Sequence, residues 1–96
     1  MTIKLHPDAE EDLEKALRHY FEIDIALEIK FLKYLELTFE KIVQSPQLYP
    51  YENASTQKTL IEKFPYVVLY EKYEDIIMIL AIFHTKRNPE TLIDRG

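Results

Sequence analysis

The residues most able to do chemistry are concentrated near the end of the chain. His84 directly follows an apolar run over residues 76–83, and Lys86, Arg87 and Arg95 follow it within eleven residues. An imidazole can act as general acid or base near neutral pH, and cations grouped around it suit a phosphate or a carboxylate. The alternatives are a structural histidine bonded to a backbone carbonyl, and a solvated charged tail.

Two earlier lysines could join this group. Lys58 lies in a strand-like stretch and Lys63 directly follows it, and both would approach His84 if that stretch pairs within the same sheet. The acidic residues within 8–14 are a different case, because they fall in the first turns of a predicted helix, where the helix dipole favours negative charge. We interpret that acidic cluster as a solvated surface.

Composition excludes several kinds of site. The only glycine is Gly96, so the chain lacks the glycine-rich loops that cradle phosphates and the glycine-flanked serine of hydrolases. His6, His19 and His84 are scattered, and there is no cysteine, so no zinc-binding spacing is present. The sequence predicts no cofactor and no metal site.

Bulk properties indicate one soluble domain over residues 1–96. The chain is 47% hydrophobic and 30% charged, which is typical of a globular protein. Its longest apolar run has eight residues, well short of the roughly 20 that a membrane-spanning helix needs. With no signal-peptide pattern and no cysteine, we expect a cytoplasmic protein without a membrane partner.

Charge is distributed unevenly along the chain. The formal net charge is -5, which argues against binding nucleic acid through the whole surface. Residues 1–45 carry 6 Lys+Arg and 10 Asp+Glu, whereas residues 46–96 carry 6 and 7. A cationic patch is therefore expected only in the second half.

The first half is predicted to supply the scaffold. Alternating residues 2–5 indicate a strand, and Pro7 opens a helix expected over 7–21. Asp24 is expected to cap a second helix that ends near Gln44. Because the connection is short, the two helices should form an antiparallel hairpin.

The second helix is apolar over a wide arc. One stripe is widened by Leu27, Phe31 and Tyr34, and this breadth predicts burial on two sides. The stripe itself comprises Ile25, Ile29, Leu32, Leu35, Phe39, Ile42 and Val43.

The second half is predicted to form the sheet. A loop over 45–56 precedes strands at 58–62, 66–71 and 76–83, with a turn at 72–75 and a tail in which Pro89 and Glu90 start a helical turn. The unbroken apolar run of the last strand predicts a central position. The fold class is α+β, with an N-terminal strand and an antiparallel helical hairpin packed on a small antiparallel sheet.

Three segments of the sequence resemble a known family. The segments that carry the likeness are HPDAEEDLEKA at 6–16, KFPYVVLY at 63–70 and IIMILAIFHTKRNPETLIDR at 76–95, with the H-x-x-R-x-P pattern of His84, Arg87 and Pro89. They resemble the RelE/ParE superfamily of toxins from type II toxin-antitoxin modules, also called plasmid-stabilisation proteins, and are closer to the ParE branch.

This resemblance implies two alternative activities. ParE-like toxins inhibit growth by binding DNA gyrase without being enzymes, which implies target-binding residues Lys63, His84, Lys86, Arg87 and Arg95. RelE-like toxins are endonucleases that cleave ribosome-bound mRNA, which implies catalytic residues His84, Arg87 and Lys58. Either kind implies a cognate antitoxin and a toxin-antitoxin hetero-oligomer.

Departures from the family pattern favour the ParE-like hypothesis. Where many members have an arginine-rich strand, this chain has Gln57, Lys58 and Thr59. Its ending, TLIDRG, lacks the terminal tyrosine or histidine-tyrosine of many RelE-like nucleases. An acidic chain also suits the anionic ribosome poorly. A degenerate, non-toxic interaction module is a further alternative.

Overall fold

Two helices pack on one face of a four-stranded sheet, which confirms the α+β class. The computed structural model describes residues 1–86, so the predicted turn at Pro89 and Glu90 lies outside the described residues. The elements, in chain order, are β1 (Thr2–Leu5), α1 (Pro7–Ile23), α2 (Ile25–Gln44), a 3₁₀ turn (Pro46–Leu48), β2 (Gln57–Leu60), β3 (Tyr66–Tyr73) and β4 (Ile76–His84).

The sheet has the strand order β1-β4-β3-β2, so β4 is central, as its apolar run predicts. It is mixed, whereas a purely antiparallel sheet was expected, because β1 pairs parallel to β4 with Ile3 opposite Ile77. Direction could not be predicted for β1, since its partner strand begins some seventy residues further along the chain. The other two pairs, β2 with β3 and β3 with β4, are antiparallel.

Side-chain caps define where the helices begin. His6 accepts a hydrogen bond at Nδ1 from the backbone N–H of Asp8 (3.1 Å), and Pro7 occupies the first turn of α1. Asp24 accepts one at Oδ1 from the N–H of Ala26 (2.9 Å), which confirms the predicted cap of α2. The extended backbone of Asp24 separates the two helices.

Helix α2 faces the core with a narrower stripe than the sequence predicts. Its fully buried residues are Phe31, Leu35, Thr38 and Ile42, which recur at three- and four-residue steps. Ile25, Ile29 and Leu32 are exposed. The prediction that α2 is buried on two sides is therefore wrong for its N-terminal half.

A β-bulge interrupts the pairing of the two long strands. The register passes from Tyr70 opposite Ile79 to Leu69 opposite Ala81, so β4 carries an extra residue, Leu80. Just beyond it, the backbone N–H of Ile82 donates to Oδ2 of Asp12 at 3.0 Å. A carboxylate from α1 thus satisfies a buried backbone donor of the central strand.

Candidate functional site

Three of the four predicted site residues that lie within the described part of the chain are found at one end of the sheet, where β4 ends and β3 begins. His84 is the pairing partner of Tyr66, and the N–H of Thr85 donates to the carbonyl of Pro65 at 2.8 Å. These pairings bring the end of β4 beside the turn over residues 61–65, which connects β2 to β3. We call this region the sheet end, defined by Lys63, Phe64, Tyr66, His84 and Lys86.

His84 is half-buried at the sheet end. Its ring meets the ring of Tyr66 edge to face, with centroids 5.4 Å apart. Its Nδ1 atom accepts a hydrogen bond from the backbone N–H of Lys86 at 3.1 Å, so a neutral ring carries its proton on Nε2. The histidine therefore holds the backbone of Lys86 through this hydrogen bond and keeps Nε2 as a donor.

Aromatic rings support the sheet end from below. The rings of Phe64 and Tyr66 each lie with centroids 5.1 Å from the ring of Phe31, and Tyr20 stacks on Phe31 at 5.3 Å. Burial raises the pKa of Tyr20, in keeping with a ring set among other rings. Such close edge-to-face and stacked pairs hold their neighbours in fixed positions.

Lys63 is exposed in the turn that borders His84. It adopts a positive φ of 68° without being a glycine, a conformation that is uncommon for such residues. Its Nζ atom lies 5.6 Å from the ring centroid of Tyr34, within the range of a cation–π contact. The ammonium group of Lys63 therefore lies beside Tyr34 of α2, at the sheet end.

Lys58 is separated from His84. It lies on β2 next to Gln57, whose buried side chain faces the helices and donates to the carbonyl of Pro46, so Lys58 faces the opposite side of the sheet. Its pairing with Leu69, which pairs with Ala81, puts its Cα roughly 14 Å from that of His84 at ordinary strand spacings. Its Nζ lies 2.7 Å from Oε2 of Glu52.

Of the remaining predicted cations, Lys86 alone lies within the described residues. Lys86 is exposed and lies two residues after the end of β4. Arg87 and Arg95 lie outside the described residues. The structure therefore brings Lys63, His84 and Lys86 to one end of the sheet and leaves Lys58 on another face.

Asp12 is a buried polar residue whose structural role was not predicted from the sequence. We interpreted it as part of a solvated acidic surface, but it is only 4% exposed and bonds to the central strand. The signal was its spacing: it stands three residues after Ala9 and four before Ala16, both of which are buried. Those steps place Asp12 on the core-facing stripe of α1.

No group of three or more His, Cys, Asp or Glu side chains within residues 1–86 could hold a metal ion. None of the helices in that range is long and apolar enough to span a membrane.

Comparison with solved structures supports the fold. The helical hairpin on a mixed sheet matches a chain from a solved structure described as the chromosomal ParDE TA system from P. aeruginosa, with a TM-score of 0.64. The two chains are 22% identical over 88% of this chain and 95% of the other, a similarity that concerns the fold. No curated protein matches the sequence.

The family model gives the more specific result. The model for the ParE toxin of the type II toxin-antitoxin system parDE matches residues 3–89. The chain therefore belongs to the ParE toxin family, within the RelE/ParE superfamily of type II toxins. The resemblance found in its sequence is confirmed.

Proposed function

We propose that this toxin inhibits bacterial growth by binding DNA gyrase through the sheet end, and that a cognate antitoxin neutralises it. Lys63 and Lys86 are exposed there, beside the half-buried His84. Arg87 and Arg95 belong to the same proposed binding set by their place in the sequence. The aromatic cluster beneath fixes the surface, which limits the entropy lost on binding.

The separation of Lys58 from His84 is the observation that carries this proposal. Cleavage of RNA by its own 2'-hydroxyl needs a base, an acid and a cation around one phosphate. The Nζ of Lys58 contacts Glu52 on the other face of the sheet, too far for one phosphate to meet both Lys58 and His84. This arrangement favours binding over RNA cleavage, and the protein is then not an enzyme.

Charge supports a protein target. A chain of net charge -5 is repelled by the uniformly anionic ribosome, whereas a small cationic region can bind an acidic patch on a protein. Electrostatic complementarity of this kind sets the orientation of a complex and its association rate.

The antitoxin partner follows from the family. The matching model describes the toxin of a type II toxin-antitoxin system, parDE, and the similar solved chain comes from a ParDE system. We propose that this chain likewise forms a hetero-oligomer with its own antitoxin. Gyrase acts on the chromosome, so the proposal requires a cytoplasmic protein.

Growth of an induced host lacking the antitoxin tests the proposal. Expression should arrest growth, and a Lys63→Glu/Lys86→Glu double variant should relieve the arrest. The matched control is Lys4→Glu/Lys72→Glu, which reverses two exposed lysines opposite Met78 and Ile77, far along β4 from His84, and should remain toxic. Arrest that is unchanged in the Lys63→Glu/Lys86→Glu variant would contradict the assigned surface, and absence of arrest in the wild type would indicate a non-toxic module.

A further inference from the structure

The two cations described at the sheet end each have a ring beside them. His84 holds Lys86, since its Nδ1 atom accepts a hydrogen bond from the backbone N–H of that lysine. Tyr34 of α2 lies beside Lys63, with its ring centroid 5.6 Å from Nζ. The sequence predicted only that Tyr34 widens the apolar stripe of its helix, so a role at the sheet end is a feature of the folded chain.

The ring of Tyr34 has a fixed position. It is half-buried and packs against the hydrophobic core, and it stands one helical turn after the fully buried Phe31. Its centroid lies 6.2 Å from that of Phe64, which is in the turn next to Lys63. A ring that is carried by a helix and packed against other side chains has little freedom to move.

The side chain of Lys63, in contrast, is exposed. An exposed lysine samples many rotamers, and a target that binds it must fix one of them at an entropic cost. Contact with the Tyr34 ring restricts the ammonium group before the target arrives. Less freedom is then lost when the complex forms.

Two further observations set Lys63 apart. Its φ of 68° is uncommon for a residue other than glycine, and such conformations are concentrated at functional sites. Within residues 1–86 Lys63 forms no ion pair, and its neighbour Glu62 lies 3.7 Å from Lys41 instead. The ammonium group therefore has a ring as its partner and remains available to a carboxylate.

We propose that Tyr34 is a positioning residue of the sheet end, which holds the Lys63 ammonium over its ring so that an acidic side chain of the target meets it in place. An ammonium group has three donors, so the side turned away from the ring can still bind a carboxylate. Tyr34 acts through Lys63, and its removal matters only while the ammonium is present. The effect on binding rests on the proposed function, whereas the contact itself is measurable in the toxin alone.

Nuclear magnetic resonance measures the contact. Protons held over the face of an aromatic ring are shielded, so the Cε methylene protons of Lys63 should resonate upfield of those of Lys4, an exposed lysine of β1. Tyr34→Phe keeps a ring and should keep this shift, while Tyr34→Leu should abolish it. Lys63 and Lys4 signals at the same position in the wild type would overturn the proposal.

Gyrase inhibition measures the consequence. Tyr34→Leu should raise the toxin concentration that halves supercoiling by about two- to fivefold, the range expected for an exposed cation–π contact. Tyr34→Phe should raise it by less than about 1.5-fold, because phenylalanine also accepts a cation over its ring. Tyr51→Leu is the matched control and should leave inhibition unchanged, since Tyr51 is a surface tyrosine that pairs with Gln57, outside the sheet end.

A Lys63→Met background separates positioning from a direct or purely structural role of the ring. Methionine keeps an apolar stem without the ammonium, so adding Tyr34→Leu should weaken inhibition further by less than about 1.5-fold. A loss in that background as large as in the wild type would overturn the proposal, because the ring would then act without Lys63.

Failure of the proposed function gives a different result. A wild-type toxin that arrests growth without inhibiting gyrase would refute gyrase as the target. The same four proteins, compared by growth arrest, would then decide whether Tyr34 positions Lys63.

Discussion

Lys58 and His84 lie on opposite faces of the sheet, two strands apart, and Lys58 pairs with Glu52. Lys58→Ala should therefore leave growth arrest at its wild-type level, because the pair that it breaks is a surface ion pair outside the sheet end. Dilution plating after induction measures this. In a nuclease that relied on Lys58, loss of a catalytic group would reduce activity by roughly a hundredfold or more, and colonies would recover.

The buried bond between Asp12 and the backbone of Ile82 should contribute measurably to stability. Asp12→Ala leaves the N–H of Ile82 without this acceptor, and an unsatisfied buried donor costs about 1 to 3 kcal/mol. Urea unfolding should show that loss in the free energy of unfolding. Glu14→Ala, an exposed change on the same helix, is the control and should stay within about 0.5 kcal/mol. Equal effects of the two substitutions would contradict the assignment.

Tyr70 and Gln57 should be coupled through one acceptor. The hydroxyl of Tyr70 and the side-chain amide of Gln57 both donate to the carbonyl of Pro46, at 2.7 and 2.6 Å. Burial raises the pKa of Tyr70 to about 12, so the hydroxyl keeps its proton at neutral pH. Tyr70→Phe and Gln57→Ala should each cost about 1 kcal/mol.

Their shared acceptor makes the two losses non-additive. After one donor is removed, the other still satisfies the carbonyl of Pro46. Removing the second donor should therefore lower the free energy of unfolding more in the single variant than in the wild type. A double-mutant cycle in urea should give a coupling energy of about 0.5 kcal/mol or more. Strict additivity would show that the two donors act independently.

Glu71 should make stability depend on acid pH. Burial alone would raise its pKa, but hydrogen bonds from Tyr73, Thr56 and Ser55 together lower the pKa below its ordinary value of 4.5. A carboxylate with a lowered folded-state pKa stabilises the fold above the ordinary value, and that contribution is lost as the pH falls through the folded-state pKa.

Comparison of the wild type with Glu71→Gln tests the sign. The wild type should unfold at higher urea concentration near neutral pH, and the two midpoints should converge as the pH falls well below 4.5. Glu74→Gln, in the exposed turn between β3 and β4, is the control. A difference that grew toward acid pH would contradict the assignment.

Local patterns predicted the elements well. Asp24 as a cap, Pro7 at the first turn of α1 and the apolar run of β4 each depend on nearby residues, and each is confirmed. Features that depend on distant residues were missed. The parallel pairing of β1 and the hydrogen bond between Asp12 and Ile82 join parts of the chain about seventy residues apart, so no local pattern identifies the partner in either case.

The candidate site was predicted in part for the same reason. Proximity in sequence placed His84 beside Lys86, and the pairing of β3 with β4 added Lys63. Whether Lys58 belongs to the site depends on which face of β2 it occupies. That face is set by the buried side-chain amide of Gln57. Because the buried residue next to Lys58 is polar, the sequence of β2 shows no alternation of hydrophobic and polar residues from which its buried face could be predicted.

Supercoiling by purified DNA gyrase tests the central claim most directly. The wild-type toxin should inhibit supercoiling of relaxed plasmid, Lys63→Glu/Lys86→Glu should lose that inhibition, and Lys58→Ala should keep it. No inhibition at a large molar excess of toxin, together with cleavage of mRNA in a translating extract, would contradict the proposed function and establish the protein as a nuclease.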